Sequence, residues 1–314
     1  MELKSKLKYN LKYFDRLKSL SFIKDNSIHN KVCFLRNNGY LILEDFLNGE
    51  HLKFARTKYQ DAIELNHLFE TPCLSQAKID RNTHKHLIDN YFRYKPSQLV
   101  EYGVTFEKSD FSNYNECLDH FKPSTLKTYL TDIQDFYSLW LNETLLNIIE
   151  AYMGLRPHLV EAYLRRNFPA KYKVMNHFWH RDTNHPDFLV KAFIFLSDCK
   201  ITNGPHEYVS GSILDRSLDG KPYYSDEEVD SLYPDGSPQR IKSIVKAGTV
   251  ILEDTRGLHR ATIPEEGFRD LGFAVFLPLS KFSKPLEPMY KISKETHSSL
   301  TSYQQSFIPK QNIQ

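Results

Sequence analysis

The stretch Asn176-His177-Phe178-Trp179-His180-Arg181-Asp182 places an imidazole and a carboxylate two residues apart. On a β-strand, residues at that spacing share a face, so His180 and Asp182 can reach one metal ion together. Further along, Asp254-Thr255-Arg256-Gly257-Leu258-His259-Arg260 supplies another histidine. From a second strand, His259 can complete the set. Two imidazoles and one carboxylate gathered on one side of an ion leave its other positions open. Such a site needs strands whose inward faces converge, so these residues decide the fold as well as the chemistry.

Working outward, the strand signals begin at Leu159. Candidates are Val160–Arg166, Lys173–His180, Leu189–Leu196, Glu207–Val209, Ile241–Val245, Thr249–Glu253 and Gly272–Leu277. Turn signals such as Asn203-Gly204-Pro205, Asp219-Gly220 and Asp235-Gly236 separate them. Several short strands in succession suggest an antiparallel barrel or jelly roll. Tyr224-Ser225-Asp226-Glu227-Glu228-Val229 reads as a helix start inserted between strands, placed to cover the mouth of the barrel.

Upstream the pattern is helical. Leu3, Leu7, Leu11, Phe14, Leu17 and Leu20 form one face of an N-terminal amphipathic helix whose other face is rich in lysine. It suits docking on the chain's own body or on a second subunit as a homodimer contact, in preference to an anionic membrane. A short apolar strand after a glycine turn follows within Asn38–Leu47, then a helix carrying Leu52, Phe54, Ala55, Tyr59, Ala62 and Ile63. A longer helix is expected from about Leu130 to Tyr152, stopped by Gly154 and Pro157. Helices first and strands after give an α+β chain. The expected organisation is one domain over 1–314: an N-terminal helix (1–30), strand and helical support (31–158), the barrel (159–282) and a polar tail (283–314).

Composition narrows the classes. With 41 Lys+Arg against 39 Asp+Glu, the net charge of +2 is too balanced for a nucleic-acid surface. Cys33, Cys73, Cys117 and Cys199 form no CxxC pair, which argues against a zinc or disulfide scaffold and fits a reducing, cytoplasmic setting. There is no apolar run long enough for a transmembrane segment and no apolar stretch of a secretory signal.

A lone histidine among 13 is weak support, and so is a lone His-x-Asp. The order is stronger: strand, His180-x-Asp182, a late strand ending at His259, then Arg269. Arg269 precedes Leu271, Phe273 and Val275 at period two and so shares their inward face. A guanidinium inside an apolar barrel needs a carboxylate partner, which its fork matches bidentately. His180-Arg181-Asp182 also spells the opening of a kinase catalytic loop. That reading fails, because the position needing asparagine is Asp187 and no Asp-Phe-Gly follows. His177 and His185 flank the motif, His177 on the opposite strand face and His185 in a turn, and neither is expected to be a ligand.

Together these residues resemble the phytanoyl-CoA dioxygenase family of Fe(II)/2-oxoglutarate-dependent oxygenases, from Gly39-Tyr40 to about Leu279. Asn203-Gly204-Pro205, Gly211-Ser212 and Ala247-Gly248-Thr249 carry further likeness. The resemblance implies a double-stranded β-helix, a cupin-like jelly roll flanked by N-terminal helices. It implies that His180, Asp182 and His259 hold Fe(II), and that Arg269 pairs with the distal carboxylate of 2-oxoglutarate. Where the family often has a serine two positions after the distal histidine, this chain has Ala261, with Thr262 the neighbouring hydroxyl that can substitute. Tyr163 and Arg165 share the strand face that in the family turns a polar group to the cosubstrate, a structural role being the alternative. Asp182 separates the chain from halogenases on this scaffold, which lack the carboxylate. The implied reaction is hydroxylation of a small molecule with O2, releasing succinate and CO2. Alternatives are a catalytically silent jelly roll that binds a ligand, and a cupin-type metal isomerase or hydrolase indifferent to 2-oxoglutarate. Nothing in the chain resembles a coenzyme A site.

Overall fold

A computed structural model describes residues 26–64, 125–129, 136–169, 175–182, 189–279, 286 and 288–314. The N-terminal amphipathic helix, most of 65–135 and the 183–188 loop, including His185, lie outside the described residues.

Among the described residues, nine strands form two antiparallel sheets. The larger has the order β1 (Tyr40–Leu43), β7 (Val250–Glu253), β4 (Val190–Phe195), β9 (Arg269–Leu277), β3 (His158–Asn167) and β2 (Thr125–Tyr129). The smaller has the order β6 (Arg240–Lys242), β5 (His206–Val209) and β8 (His259–Ala261). Alternation along β9 explains how one strand serves two layers. Leu271, Phe273, Val275 and Leu277 turn to an inner cluster between the sheets. Ala274 and Phe276 turn to the helical layer. Period-two alternation with both faces apolar is what a sheet covered on both sides requires.

The helical layer consists of α1 (Asn26–Asn38), α2 (Gly49–Glu64), α3 (Tyr137–Trp140) and α4 (Glu143–Met153). The expected helix ending at Tyr152 is interrupted at Leu141-Asn142. The Asn142 side chain accepts hydrogen bonds from the backbone N–H groups of Thr144 (3.0 Å) and Leu145 (3.3 Å), so an N-cap restarts the helix there. Gly154, at φ +72°, closes α4 in the left-handed conformation that glycine adopts without steric cost.

The tail is more than polar cover. Tyr290, Ile292, Phe307 and Ile308 are buried in the helical layer's core. The Tyr290 hydroxyl donates to the Leu159 carbonyl (2.9 Å), tying the C-terminus to the start of β3. No helix among the described residues is long and apolar enough to cross a membrane.

The strand expected over Lys173–His180 is different too. Met175–His177 is a 3-10 turn, and Trp179 and His180 make single bridges to Tyr224 and His259. The indole explains the change. The guanidiniums of Arg260 (4.6 Å) and Arg240 (4.9 Å) pack on the Trp179 ring, and its Nε1 donates to Asp226 (3.1 Å). Asp226 opens the inserted helix α5 (Asp226–Leu232), capped reciprocally by Ser225 and Glu228. Packing on the outer face of the small sheet therefore sets the chain path into His180.

Candidate metal centre

His180 and His259 face each other as an antiparallel bridge, with both N–H···O=C hydrogen bonds at 3.0 Å. Their ring centroids are 4.2 Å apart. The segment goes on to Asp182, whose backbone N–H donates to the Thr255 carbonyl (2.9 Å). Arg181, between the two, turns away and is buried. Its guanidinium donates to the carbonyls of Ser212 (2.6 Å), Leu218 (2.7 Å), Asp215 (3.1 Å) and Arg256 (3.1 Å), which fastens the segment to the neighbouring loops. With Arg181 anchored outward, the flanking His180 and Asp182 are left on the inner side.

One donor atom from each of His180, Asp182 and His259 lies within 4.8 Å of the others, close enough to share one ion. The donor chemistry fits. His180 Nδ1 donates to the Phe178 carbonyl (2.8 Å) and His259 Nδ1 to the Gly257 carbonyl (2.9 Å). Those bonds fix the tautomer and leave each Nε2 with its lone pair for a metal. Burial holds both imidazoles below their ordinary pKa, His259 furthest, with His180 beside it adding to the effect. They stay neutral at physiological pH, as ligation requires. Burial opposes ionisation of Asp182, but the Lys191 ammonium and the two imidazoles overcome it and hold the carboxyl well below its usual range.

The turn before His259 is tightly constructed. Gly257 admits no side chain, since a Cβ there would sit 1.9 Å from the Tyr208 hydroxyl. That hydroxyl donates to the Asp254 carbonyl (3.0 Å), and Ser212 Oγ accepts from the Leu258 N–H (2.7 Å). The Asp254 carboxylate, fully buried, accepts from the Tyr152 hydroxyl (2.6 Å) and from Arg256 Nε (2.8 Å).

Arg269 is where the inner face of the large sheet changes character. It is 0 % exposed, yet its Nε and Nη1 have no hydrogen-bond partner among the described residues. Among the described residues its side chain reaches Asn167, from Nη2 to Oδ1 at 3.4 Å. Burial, with Arg165 nearby, lowers its pKa to about 10, still charged at neutral pH. Arg165 shares the face and also has an unpartnered buried Nε. Tyr163 is stacked on Phe273 at 4.6 Å. These three sequence-expected residues lie along adjacent strands β3 and β9. Thr262 is placed otherwise: its hydroxyl donates to the Pro205 carbonyl (2.6 Å), so it is committed to the loop. His177 is buried and lies outside the cluster of three ligands.

Two features escaped the sequence reading. Lys191 on β4 brings its Nζ to 2.5 Å from Asp182 Oδ2. Its signal was a lysine in Val-Lys-Ala-Phe-Ile-Phe, in phase with Phe193 and Phe195. Deeper in, His206 Nε2 lies 2.8 Å from Glu253 Oε2, with the His206 ring 5.6 Å from that of His259. Burial raises the Glu253 pKa to about 8 and pushes His206 well down.

No protein-family model matches the chain, and neither does any curated protein. Solved structures do. EctD from S. alaskensis with 2-oxoglutarate and 5-hydroxyectoine is 15% identical, with a TM-score of 0.53, over 83% of this chain and 82% of that one. EctD with bound Fe matches at 15% identity and a TM-score of 0.51, over 83% and 81%. HygX from Streptomyces hygroscopicus, with nickel, 2-oxoglutarate and hygromycin B, gives 15% identity and a TM-score of 0.48, over 81% and 87%. The likeness to EctD is one of fold.

Proposed function

We propose that this chain is an Fe(II)- and 2-oxoglutarate-dependent dioxygenase that hydroxylates a small molecule on a double-stranded β-helix, as the resemblance to the phytanoyl-CoA dioxygenase family implies. The observation that carries this reading is the pairing of the His180/Asp182/His259 cluster with the fully buried guanidinium of Arg269, whose Nε and Nη1 have no hydrogen-bond partner among the described residues. A buried charge without a partner costs several kcal/mol (order of magnitude) unless a ligand supplies the counter-charge. A carboxylate is the matching fork. The solved EctD structures of the same fold hold 2-oxoglutarate in one case and Fe in the other, which supports the same assignment here.

His180, Asp182 and His259 would hold the iron by two Nε2 atoms and a carboxylate oxygen. When bound, iron and 2-oxoglutarate would supply the activation of O2, which is the oxidant, with the cosubstrate leaving as succinate and CO2. Arg269 would clamp the distal carboxylate, with the Arg165 guanidinium beside it. Phe193, Phe195, Ile251, Leu271 and Phe273, packed between the sheets, keep water from the cosubstrate's carbon chain. Beside His180 stands an exposed aromatic pair. Phe178 and Tyr223 are each 38% or more exposed, 5.9 Å apart, with Tyr223 6.3 Å from the His180 ring. The inserted helix α5 docks beside this pair through Trp179, consistent with a substrate entering there. Lys, Arg and Tyr of 81–98, which suit an anionic or sugar-like substrate and equally a solvated surface, lie outside the described residues.

The test is succinate release from 2-oxoglutarate by the Fe(II)-loaded protein in air, screened against metabolite pools for stimulation. Release that one compound stimulates, together with a new hydroxyl on that compound, supports the reading. Turnover of a substrate without 2-oxoglutarate contradicts it.

A further inference from the structure

The proposed chemistry leaves Lys191 without a role, although it is the charged group that touches a ligand. Strand β4 carries it onto the inner face, in register with Glu253 on β7 and Val275 on β9. Its ammonium lies 2.5 Å from Asp182 Oδ2 and 5.7 Å from the centre of the Phe273 ring, with the side chain 18% exposed. For a bare metal site this charge has the wrong sign. It competes with the cation for Asp182 and repels it, and like charges a few ångströms apart interact strongly once water is partly excluded.

The same wall carries Arg165 and Arg269. Against these three cations, the described residues set the Asp182 carboxylate, Glu161 in register with Val275, and the Glu253 carboxyl, which is buried beside His206. A divalent cation adds two further positive charges. A ligand with two negative charges, one near the guanidiniums and one near the ion, offsets part of that excess.

We propose that Lys191 couples the metal to the dianion: it weakens binding of the cation alone and strengthens binding of 2-oxoglutarate to the metal-loaded protein. The inference rests on the 2-oxoglutarate reading above. Lys191 acts through Asp182 and through its charge, as a positioning residue. A positive charge repels the cation and attracts the dianion, so removing it should not weaken both affinities together. Loss of a structural prop would weaken both.

The experiment uses the full chain with Co(II) as the probe metal, followed by visible absorbance, and then 2-oxoglutarate titrated calorimetrically into the cobalt protein. Lys191→Met keeps the stem and removes the charge, while Lys191→Arg keeps the charge. In the methionine variant the cobalt Kd stays equal or falls, and the 2-oxoglutarate Kd rises about tenfold, within the usual span of coupling between sites. The arginine variant stays with the wild type. A 2-oxoglutarate Kd within about twofold of wild type in Lys191→Met, or a cobalt Kd raised by more than about twofold, overturns the coupling. So does an arginine variant that behaves like the methionine one. A wild-type chain that binds cobalt but no 2-oxoglutarate overturns the underlying reading as well, which separates the two failures.

Discussion

Arg269 and Asn167 stand opposite each other across β9 and β3, and their one contact, Nη2 to Oδ1 at 3.4 Å, leaves two guanidinium nitrogens buried without a partner. A group in that state destabilises the fold until a ligand arrives. Arg269→Met should therefore melt at the wild-type temperature or above it when 2-oxoglutarate is absent, with a gain of about 1 kcal/mol or more. The same variant should need at least about thirtyfold more 2-oxoglutarate for half-maximal succinate release, the equivalent of about 2 kcal/mol for a buried charge pair. A lower melting temperature with unchanged 2-oxoglutarate demand would mean that Arg269 is structural.

Asp182→Ala removes the only carboxylate of the three-residue cluster. Metal affinity, read by cobalt titration, should fall by at least about tenfold, and succinate release should vanish. Without metal the variant should melt below the wild type, because the Lys191 ammonium loses the carboxylate 2.5 Å from it. Retained turnover in this variant would remove Asp182 from the site.

The His206–Glu253 pair gives a pH signature. Burial raises the Glu253 pKa to about 8 in the fold, from an ordinary 4.5 in the unfolded chain. The folded state therefore holds this proton more tightly, so the group's contribution is full below pH 4.5 and is lost as pH rises towards 8. Glu253→Gln removes that loss. The melting temperature of the variant relative to wild type should climb between pH 5.5 and 8, bracketed by the two pKa values. A flat difference over this range would show that Glu253 is ionised in the fold.

Gly257→Ala should damage the site from outside it. A Cβ would meet the Tyr208 hydroxyl at 1.9 Å and Ser212 Oγ at 3.0 Å, so the turn that delivers His259 has to move. A loss of about 1–3 kcal/mol is expected from overpacking. Cobalt affinity should weaken along with it. Stability lost with cobalt affinity intact would show that the ligand geometry does not depend on this turn.

Much of the site could be read in the sequence because its signals are local. His180 and Asp182 declare themselves by spacing, and Arg269 by its phase with Leu271, Phe273 and Val275. Less was readable where tertiary packing decides. The Trp179 indole, packed against Arg240 and Arg260, replaces an expected strand with a turn and two bridges. Lys191, His206 and Glu253 acquire meaning only from partners on strands distant in sequence. The C-terminal segment looked like a polar tail because its few anchors, among them Tyr290 and Phe307, are diluted by Ser, Gln and Lys.

The central claim is that one pocket holds both the metal and 2-oxoglutarate. Mixing the full chain with Fe(II) and 2-oxoglutarate under strict anaerobic conditions tests it most directly, by visible absorption. The account predicts a weak charge-transfer band that needs both additions, is lost in Asp182→Ala and requires far more 2-oxoglutarate in Arg269→Met. No band in the wild type, with no succinate formed once air is admitted, would contradict it.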